Sequence, residues 1–315
     1  MKKQYKIIDT HAHFGLASNK MIEKGIVEYG RRKKLLEDID DLKQKVGFEK
    51  GIIEDDNSLE AYVQIMKKNG IEQSWLHQLS FGEELGYDIL DNESIAIAIK
   101  KYPGLFKGFA SVNPNSNNSL EELRYAIETL KLHAFKLNPN DYGGFWLNDK
   151  EKLYPLYDYC SQNNIPVSVH TGITPGTIFR MKHNYPILLD DVAVDFPNLK
   201  IIVEHMGYPW NDLCYYMVSR HKNMYVTITA VANILIHNNP RNFIVELSKM
   251  ISIFGSEKIL WGSDWTATPN IDEVLHYMKN LSVPIVMRKM MNLPKISEND
   301  IQNILYNNAL NILPK

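Results

Sequence analysis

The feature that most constrains the fold of this chain is a series of eight short apolar runs, each followed by a segment of helical character. The run KIIVEH at 200–205 is typical, because it is too short for a helix and carries three consecutive β-branched residues. Strands that alternate with helices form right-handed βαβ units and a parallel sheet. The predicted strands cover residues 6–10, 73–77, 106–112, 134–137, 166–170, 200–205, 224–229 and 258–262.

Eight such units predict an α/β fold, a closed (β/α)8 TIM barrel, and the 315 residues fit one domain over 1–315. An open doubly wound sheet is the alternative. It would place a glycine-rich phosphate loop after the first strand, and the sequence has no such loop there. Capping residues mark the starts of several predicted helices: Asn57 with Glu60, Ser119 with Glu122, and Ser297.

Residues 14–57, between the first strand and the first regular helix, are too many for an ordinary loop. Four basic residues at 31–34 are followed at once by acidic residues at 37, 38, 40 and 41. Mixed charges in a helical stretch are typical of a solvent-exposed face. We therefore predict a helical insertion at the mouth of the barrel, which is also a candidate lid.

Composition excludes several classes of protein. The formal charge of −2 favours neither nucleic acid nor an anionic membrane as a partner. No run approaches the roughly 18 apolar residues of a membrane span, and the N-terminus has no apolar leader segment. Cys160 and Cys214 lack the spacing of a disulfide framework or a thiolate metal site. A cytoplasmic protein that acts on a small molecule is the expectation.

Metal-binding residue types recur where the predicted strands end. In a parallel barrel, inward-facing residues at the carboxyl ends of the strands converge on one mouth. Residues two apart on a strand share a face, so we expect Asp9, His11 and His13 to point inward together. The convergent set is His11 and His13 on the first strand, His170 and His205 at the ends of the fifth and sixth, and Asp264 after the eighth.

Imidazole and carboxylate ligands suit Zn²⁺ or another divalent first-row ion. Such an ion lowers the pKa of bound water to roughly 7, which makes water nucleophilic at neutral pH. Asp264 can bind the ion and accept a proton, while His205 can orient water or stabilise a developing oxyanion. A single histidine at a strand end is more often structural. The joint set is what favours a metal site.

The chain resembles the amidohydrolase superfamily, and within it the amidohydrolase-related branch that includes the aminocarboxymuconate-semialdehyde decarboxylase-like enzymes. The resemblance covers most of the chain after residue 57. The segments that carry it are IDTHAH (8–13), KYPGLFKGFA (101–110), FKLNP (135–139), PVSVHTG (166–172), VEHMG (203–207), GSDW (262–265) and NA (308–309).

This resemblance implies that His11, His13, His170 and Asp264 hold one catalytic divalent ion, zinc or alternatively manganese, and that Asp264 and His205 are catalytic. It also implies a homodimer and a substrate choice set by residues 14–57. Asn138 departs from the family pattern, since many relatives carry histidine there. Substrate contacts, rather than the metal, are affected by that difference.

Lys136 allows two interpretations. Some members of the superfamily carry a carboxylated lysine on the fourth strand that bridges two metals, so a binuclear centre is one alternative. The other is an ammonium that binds a substrate anion or packs beside the site. The branch that this chain resembles favours a single metal.

Further substrate contacts are expected from side chains that follow the strands. Arg180 can grip a carboxylate through two hydrogen bonds, although a surface position is the alternative. His77, at the end of the second strand, either enters the site or is structural. The aromatic candidates are Trp146, Tyr208, Trp210 and Trp265.

Two reactions fit these residues. The first is hydrolysis of an amide, lactone or related bond by metal-activated water. The second is non-oxidative decarboxylation of an aromatic or unsaturated acid at the same metal, for which Arg180 and Lys136 are the obvious cationic grips. A barrel without catalysis and a metal-dependent nuclease fit less well, because the ligand set is intact and a basic mouth is not evident.

We predict that His170→Ala loses bound metal and activity together, because one of four ligands is removed. The measurement is metal content by mass spectrometry beside turnover. His276→Ala, which changes a histidine on a predicted helix, serves as the control and should keep both. Full metal occupancy in His170→Ala would refute the ligand assignment.

Overall fold

The computed structural model describes residues 5–15, 57–80, 88–174, 179–265, 267–268 and 270–314. Within these residues eight strands form one parallel sheet in chain order, so each strand pairs with the next. The strands are β1 (Ile7–Ala12), β2 (Ile71–His77), β3 (Phe106–Ala110), β4 (Ala134–Leu137), β5 (Val167–Val169), β6 (Ile201–Val203), β7 (Met224–Thr227) and β8 (Ile259–Leu260).

The sheet closes between β1 and the segment that follows β8. The backbone N–H of Thr10 donates to the carbonyl of Trp261 at 3.1 Å, and that of Asp264 donates to the carbonyl of His11 at 2.8 Å. A parallel bridge between Ala12 and Trp265 continues the pairing. The predicted (β/α)8 barrel is therefore confirmed, and closure itself brings Asp264 beside His11.

Helices follow the strands on the outside of the barrel. Those of the first half are α1 (Leu59–Asn69), α2 (Asn92–Lys101), α3 (Ser119–Arg124, continued by a π-helical turn, Tyr125–Thr129), α4 (Tyr154–Gln162) and α5 (Leu188–Asp195). Those of the second half are α6 (Asn211–Arg220), α7 (Val231–Asn238), α8 (Pro240–Phe254), α9 (Ile271–Lys279), α10 (Ile285–Met291), α11 (Glu298–Gln302, continued by a π-helical turn, Asn303–Asn307) and α12 (Asn308–Leu310).

Two of the three predicted helix caps are wrong by one residue. The side chain of Ser58, and not that of Asn57, accepts the N–H of Ala61 at the start of α1. Asn118 precedes α3 without a side-chain cap, which places Ser119 inside the first turn. The spacing of a capping box fits adjacent positions almost equally well, so it locates a helix start only approximately. The third cap is confirmed, because Ser297 and Asp300 form a reciprocal capping box.

Apolar side chains pack on both faces of the sheet. The larger cluster lies between strands and helices and includes Phe135, Val167 and Trp261. A smaller cluster fills the lower part of the barrel. It consists of side chains that point inward from the strands, as is usual for this fold. Its buried members are Ile8, Trp75, Phe109, Ala134, Ile202 and Leu260, closed by Ala309 and Ile312 from the C-terminal segment.

The predicted insertion at 14–57 lies almost entirely outside the described residues. Its two ends are described, and the N–H of Gly15 donates to the carbonyl of Asn57 at 2.8 Å. A short antiparallel ribbon, Leu79–Ser80 with Asp88–Leu90, follows β2. Among the described helices, none has the length and apolar composition needed to cross a bilayer.

Gly262, two residues after the end of β8, marks a close approach of the closing strands. A Cβ atom there would lie 2.8 Å from both the Cβ and the backbone nitrogen of His11. We expect Gly262→Ala to lower the free energy of unfolding by roughly 1–3 kcal/mol, because backbone must move to admit the methyl group. Chemical denaturation measures this.

Gly108→Ala is the matched control for this change. There the atoms nearest to the new methyl group belong to the side chains of Ile95, Ile99 and Leu132, and none belongs to the backbone that carries a predicted ligand. We expect Gly108→Ala to keep metal binding, whereas Gly262→Ala weakens it by shifting His11. Equal metal affinity in both variants would contradict the close approach.

Candidate metal centre

Polar residues replace apolar ones inside the upper part of the barrel. Above the apolar cluster, the inward side chains include buried His77, Lys136, Ser168 and Glu204. The carboxyl ends of the strands then supply the histidines and Asp264, all at least half buried. The barrel therefore changes from an apolar plug to a chamber lined by titratable groups.

His11, His13 and Asp264 present their ligand atoms to one point. The two Nε2 atoms are 3.1 Å apart, and Asp264 Oδ1 lies 3.4 Å from His11 Nε2 and 3.6 Å from His13 Nε2. Nitrogen ligands lie at about 2.0–2.1 Å from zinc, so two donors of a tetrahedral site are about 3.3 Å apart. These three residues therefore have the spacing of ligands around one divalent ion.

Backbone carbonyls fix the hydrogen positions of three imidazoles. A carbonyl oxygen only accepts, so the ring nitrogen that contacts it must carry the hydrogen. In a neutral imidazole the other nitrogen then holds a lone pair. The bonds run from His13 Nδ1 to His77 O (2.8 Å), from His170 Nε2 to Ile173 O (2.8 Å) and from His205 Nδ1 to Thr229 O (3.2 Å).

The remaining nitrogens face one another. His205 Nε2 lies 3.0 Å from His170 Nδ1, and His13 Nε2 lies 3.1 Å from His11 Nε2. Burial is the main cause that holds the pKa of His11 and of His170 well below the ordinary value, and neighbouring imidazoles add to it. Neutral imidazoles with converging lone pairs attract a cation, so the donor set fits a divalent metal.

The structure places the predicted ligands in two neighbouring groups rather than in one closed set. His11, His13 and Asp264 form one group, and His170 forms a group with His205 and Glu204. The ring centroids of His11 and His205 are 5.6 Å apart, which places the two groups side by side. All five predicted metal and catalytic residues therefore line the same chamber.

Asp264 is held in an unusual backbone conformation, with φ of 56°. Strain of this kind is common at functional sites, where the surrounding structure fixes it. Burial acts to raise the pKa of its carboxyl, but the nearby His13, His205 and Lys136 bring the pKa below its ordinary value. Asp264 is thus an anion at neutral pH.

Asp9 does not face the chamber, and the prediction that it shares a face with His11 is wrong. The pairing of β1 with β2 shifts register between Asp9 and Ala12, which breaks the two-residue alternation. Asp9 Oδ2 accepts from the Tyr62 hydroxyl of α1 at 2.7 Å. Its Oδ1 accepts from the N–H groups of His11 and Ser263. Asp9 therefore fixes the backbone that carries the ligand, not the ligand side chain.

Glu204 also lines the chamber, and the sequence analysis did not predict it. Its side chain is fully buried and contacts the ammonium of Lys136, while Ser168 Oγ donates to Oε1 at 2.6 Å. His77 enters the chamber, because its Nδ1 lies 3.5 Å from Glu204 Oε1 and its ring stacks on His11 with centroids 4.1 Å apart. The sequence contains a signal for this position, because Glu204 lies two residues after the inward-facing Ile202 and residues two apart on a strand share a face.

The side chains predicted to contact substrate differ in their exposure to solvent. Trp265 does not line the mouth, because its ring is fully buried and stacks on Tyr62 at 4.7 Å. That expectation is therefore wrong: the closing bridge at residue 265 turns the ring toward α1. Trp146 and Tyr208 are partly exposed, and Arg180 is exposed.

The family comparison agrees with this architecture. The amidohydrolase family model matches residues 8–315, which is nearly the whole chain. The chain therefore belongs to the amidohydrolase family, and the resemblance seen in its sequence is confirmed. It is an enzyme of the amidohydrolase superfamily.

Solved structures with the same fold include three of low sequence identity. An uncharacterised TIM-barrel protein of Bordetella bronchiseptica is 22% identical, with a TM-score of 0.72 over 98% of each chain. The 5-carboxyvanillate decarboxylase of Sphingomonas paucimobilis is 15% identical, with a TM-score of 0.66 over 98% of this chain and 99% of its own. A manganese-bound dihydroxybenzoic acid decarboxylase of Polaromonas is 18% identical, with a TM-score of 0.60 over 98% and 97%.

Curated relatives matched by sequence are dihydroorotases. That of Shewanella denitrificans is 29% identical over 142 residues, 42% of this chain and 40% of its own length. That of Helicobacter pylori is 28% identical over 128 residues, 39% and 37% of the two chains. The chain thus spans about two fifths of the length of the curated relatives it matches.

Replacement of Asp9 by asparagine should change how stability depends on pH. Burial raises the pKa of Asp9 from 3.8 to about 6, so the folded protein binds this proton more tightly than the unfolded chain. The resulting stabilisation is complete below about pH 4 and is lost as the pH rises through about 6.

The pKa difference corresponds to roughly 3 kcal/mol. We expect the wild-type protein to lose about this much stability relative to Asp9→Asn across that pH range, as measured by urea unfolding at several pH values. Parallel stability curves for the two proteins would contradict the raised pKa of Asp9.

Proposed function

We propose that this enzyme is a metal-dependent hydrolase of a small organic substrate with an amide, lactone or related bond. The observation that carries the proposal is the convergence of imidazole lone pairs with the carboxylate of Asp264. His11, His13, His170 and Asp264 would hold the ion, with zinc or manganese as the metal. When bound, a divalent ion supplies Lewis acidity, which polarises a carbonyl and acidifies water.

The residues of the chain divide the proton transfers between them. Asp264 is ionised and its Oδ1 lies within 3.6 Å of the two Nε2 atoms, so it can accept the proton that water loses. His205 donates its Nδ1 hydrogen to Thr229, which leaves Nε2 as a proton acceptor. The proton that Asp264 takes from water can pass to the leaving group, while Nε2 of His205 can accept a hydrogen bond from that water and orient it.

The positions of two cations favour hydrolysis over decarboxylation. Lys136, one of the two cations predicted to bind the carboxylate of a substrate acid, is paired with Glu204 inside the barrel. Arg180, the other, is exposed. Lys136 is thus neutralised by Glu204 within the described part of the barrel, and Arg180 is not buried in the chamber. Decarboxylation at the same centre remains the second proposal, since several proteins of this fold are named as decarboxylases.

One screen distinguishes the two reactions. The protein loaded with zinc or with manganese is incubated with separate panels of amides, lactones and aromatic acids, and the masses of the products are measured by mass spectrometry. Hydrolysis adds the mass of one water, whereas decarboxylation removes the mass of carbon dioxide. Release of carbon dioxide without any hydrolysis would overturn the first proposal in favour of the second.

We predict that Asp264→Asn still binds substrate but turns over at least about 100-fold more slowly, because proton transfer is lost. Steady-state kinetics on the substrate found in the screen measure this. Asp272→Asn, which changes an acid paired with Lys68 on the outside of the barrel, is the control. Near-normal turnover in Asp264→Asn would remove this carboxylate from the mechanism.

A further inference from the structure

We propose that Glu204 is a positioning residue of the metal centre, which directs the Nε2 lone pair of His11 toward the ion and keeps Lys136 as its ammonium counter-ion. This inference rests on the metal site of the proposed function and adds a residue to it. It also implies a single metal per chain, without a carboxylated lysine.

Two side-chain donors contact the carboxylate of Glu204. Oε2 contacts the ammonium of Lys136, and Oε1 accepts the hydroxyl of Ser168 at 2.6 Å. Its own backbone carbonyl accepts the hydroxyl of Thr171 at 2.6 Å. A buried carboxylate that is this well partnered has a fixed position, so it can orient other groups.

Two imidazole nitrogens face Glu204 Oε1 at 3.5 Å, namely Nδ1 of His11 and Nδ1 of His77. His77 already carries its hydrogen on Nε2, which donates to the carbonyl of Thr10 at 3.0 Å. Nδ1 of His11 is therefore the nitrogen that can present a hydrogen to the carboxylate. It has no hydrogen-bond partner among the described residues, and it is buried.

A hydrogen on His11 Nδ1 leaves the lone pair on Nε2, the atom that faces His13 and Asp264. A carboxylate behind a ligating histidine fixes its tautomer and ring orientation and makes it a stronger ligand. Glu204 occupies this position for His11, as the Thr229 carbonyl does for His205 and the His77 carbonyl does for His13.

The ion pair determines the chemical state of Lys136. A carboxylated lysine is an anion and would lie against the buried carboxylate of Glu204, where like charges repel strongly. As an ammonium, Lys136 instead neutralises Glu204 and occupies Oε2, the oxygen that lies 3.7 Å from His205 Nε2. The group of His170, Glu204 and His205 is thus closed to a second ion.

The test is a titration of metal-free protein with Co²⁺, followed by its visible absorption and by metal content, in the presence and absence of bicarbonate. The proteins are wild type, Glu204→Gln and Glu246→Gln. Glu246 is the matched control, since it is a buried carboxylate that pairs with Lys249 and accepts from Tyr215 and Asn211, away from the chamber.

We expect wild type and Glu246→Gln to bind one Co²⁺ with the same spectrum and no response to bicarbonate. Glu204→Gln should bind it roughly 10–100-fold more weakly, with a changed absorption band. Wild-type affinity and spectrum in Glu204→Gln would overturn the proposal. So would two bicarbonate-dependent ions in the wild-type protein, because that result requires a carboxylated Lys136.

Loss of one partner of a buried ion pair can unfold a protein. If Glu204→Gln does not fold, the double variant Glu204→Gln/Lys136→Met, which removes both charges, replaces it in the same titration. Weak Co²⁺ binding by the folded double variant supports the proposal, and wild-type binding overturns it. Absence of Co²⁺ binding by the wild-type protein would instead overturn the metal centre, while a failed substrate screen leaves this inference standing.

Discussion

The chamber of this barrel depends on one constraint, namely that a polar group shielded from water must have a partner. At the carboxyl ends of the strands, backbone carbonyls meet this need for His13, His170 and His205. Each carbonyl takes one ring hydrogen and thereby turns a lone pair toward the interior. The structural requirement and the chemical function are satisfied by the same bonds.

The charge inside the barrel changes from its base to its mouth. The apolar cluster below keeps water from the base of the chamber, so electrostatic interactions above it are strong. Next comes the Lys136–Glu204 pair, whose opposite charges offset each other. Asp264 and the imidazoles lie at the strand ends, where a divalent cation would balance the charge of the carboxylate. Asp264 stays ionised because nearby groups outweigh the effect of its burial.

The sequence alone predicted the features that follow from regular alternation. Eight strands were located because β-branched runs and helical periods differ clearly, and His170 and Asp264 were found because strand ends in a barrel converge. Asp9 was misplaced because a register shift in β1 interrupts the alternation, and such shifts leave no pattern in a single sequence. Glu204 was missed because its role depends on Lys136, a partner 68 residues away.

The bond between the N–H of Gly15 and the carbonyl of Asn57 holds the two exits of the intervening segment side by side. Such a segment can be exchanged for one of another length without moving the strand that carries His11 and His13, since loop closure depends only weakly on length. The barrel and the segment between these two residues are therefore separable in the chain. Grafting segments of other lengths between Gly15 and Asn57 is a direct test of whether this segment determines substrate choice, as the sequence predicts.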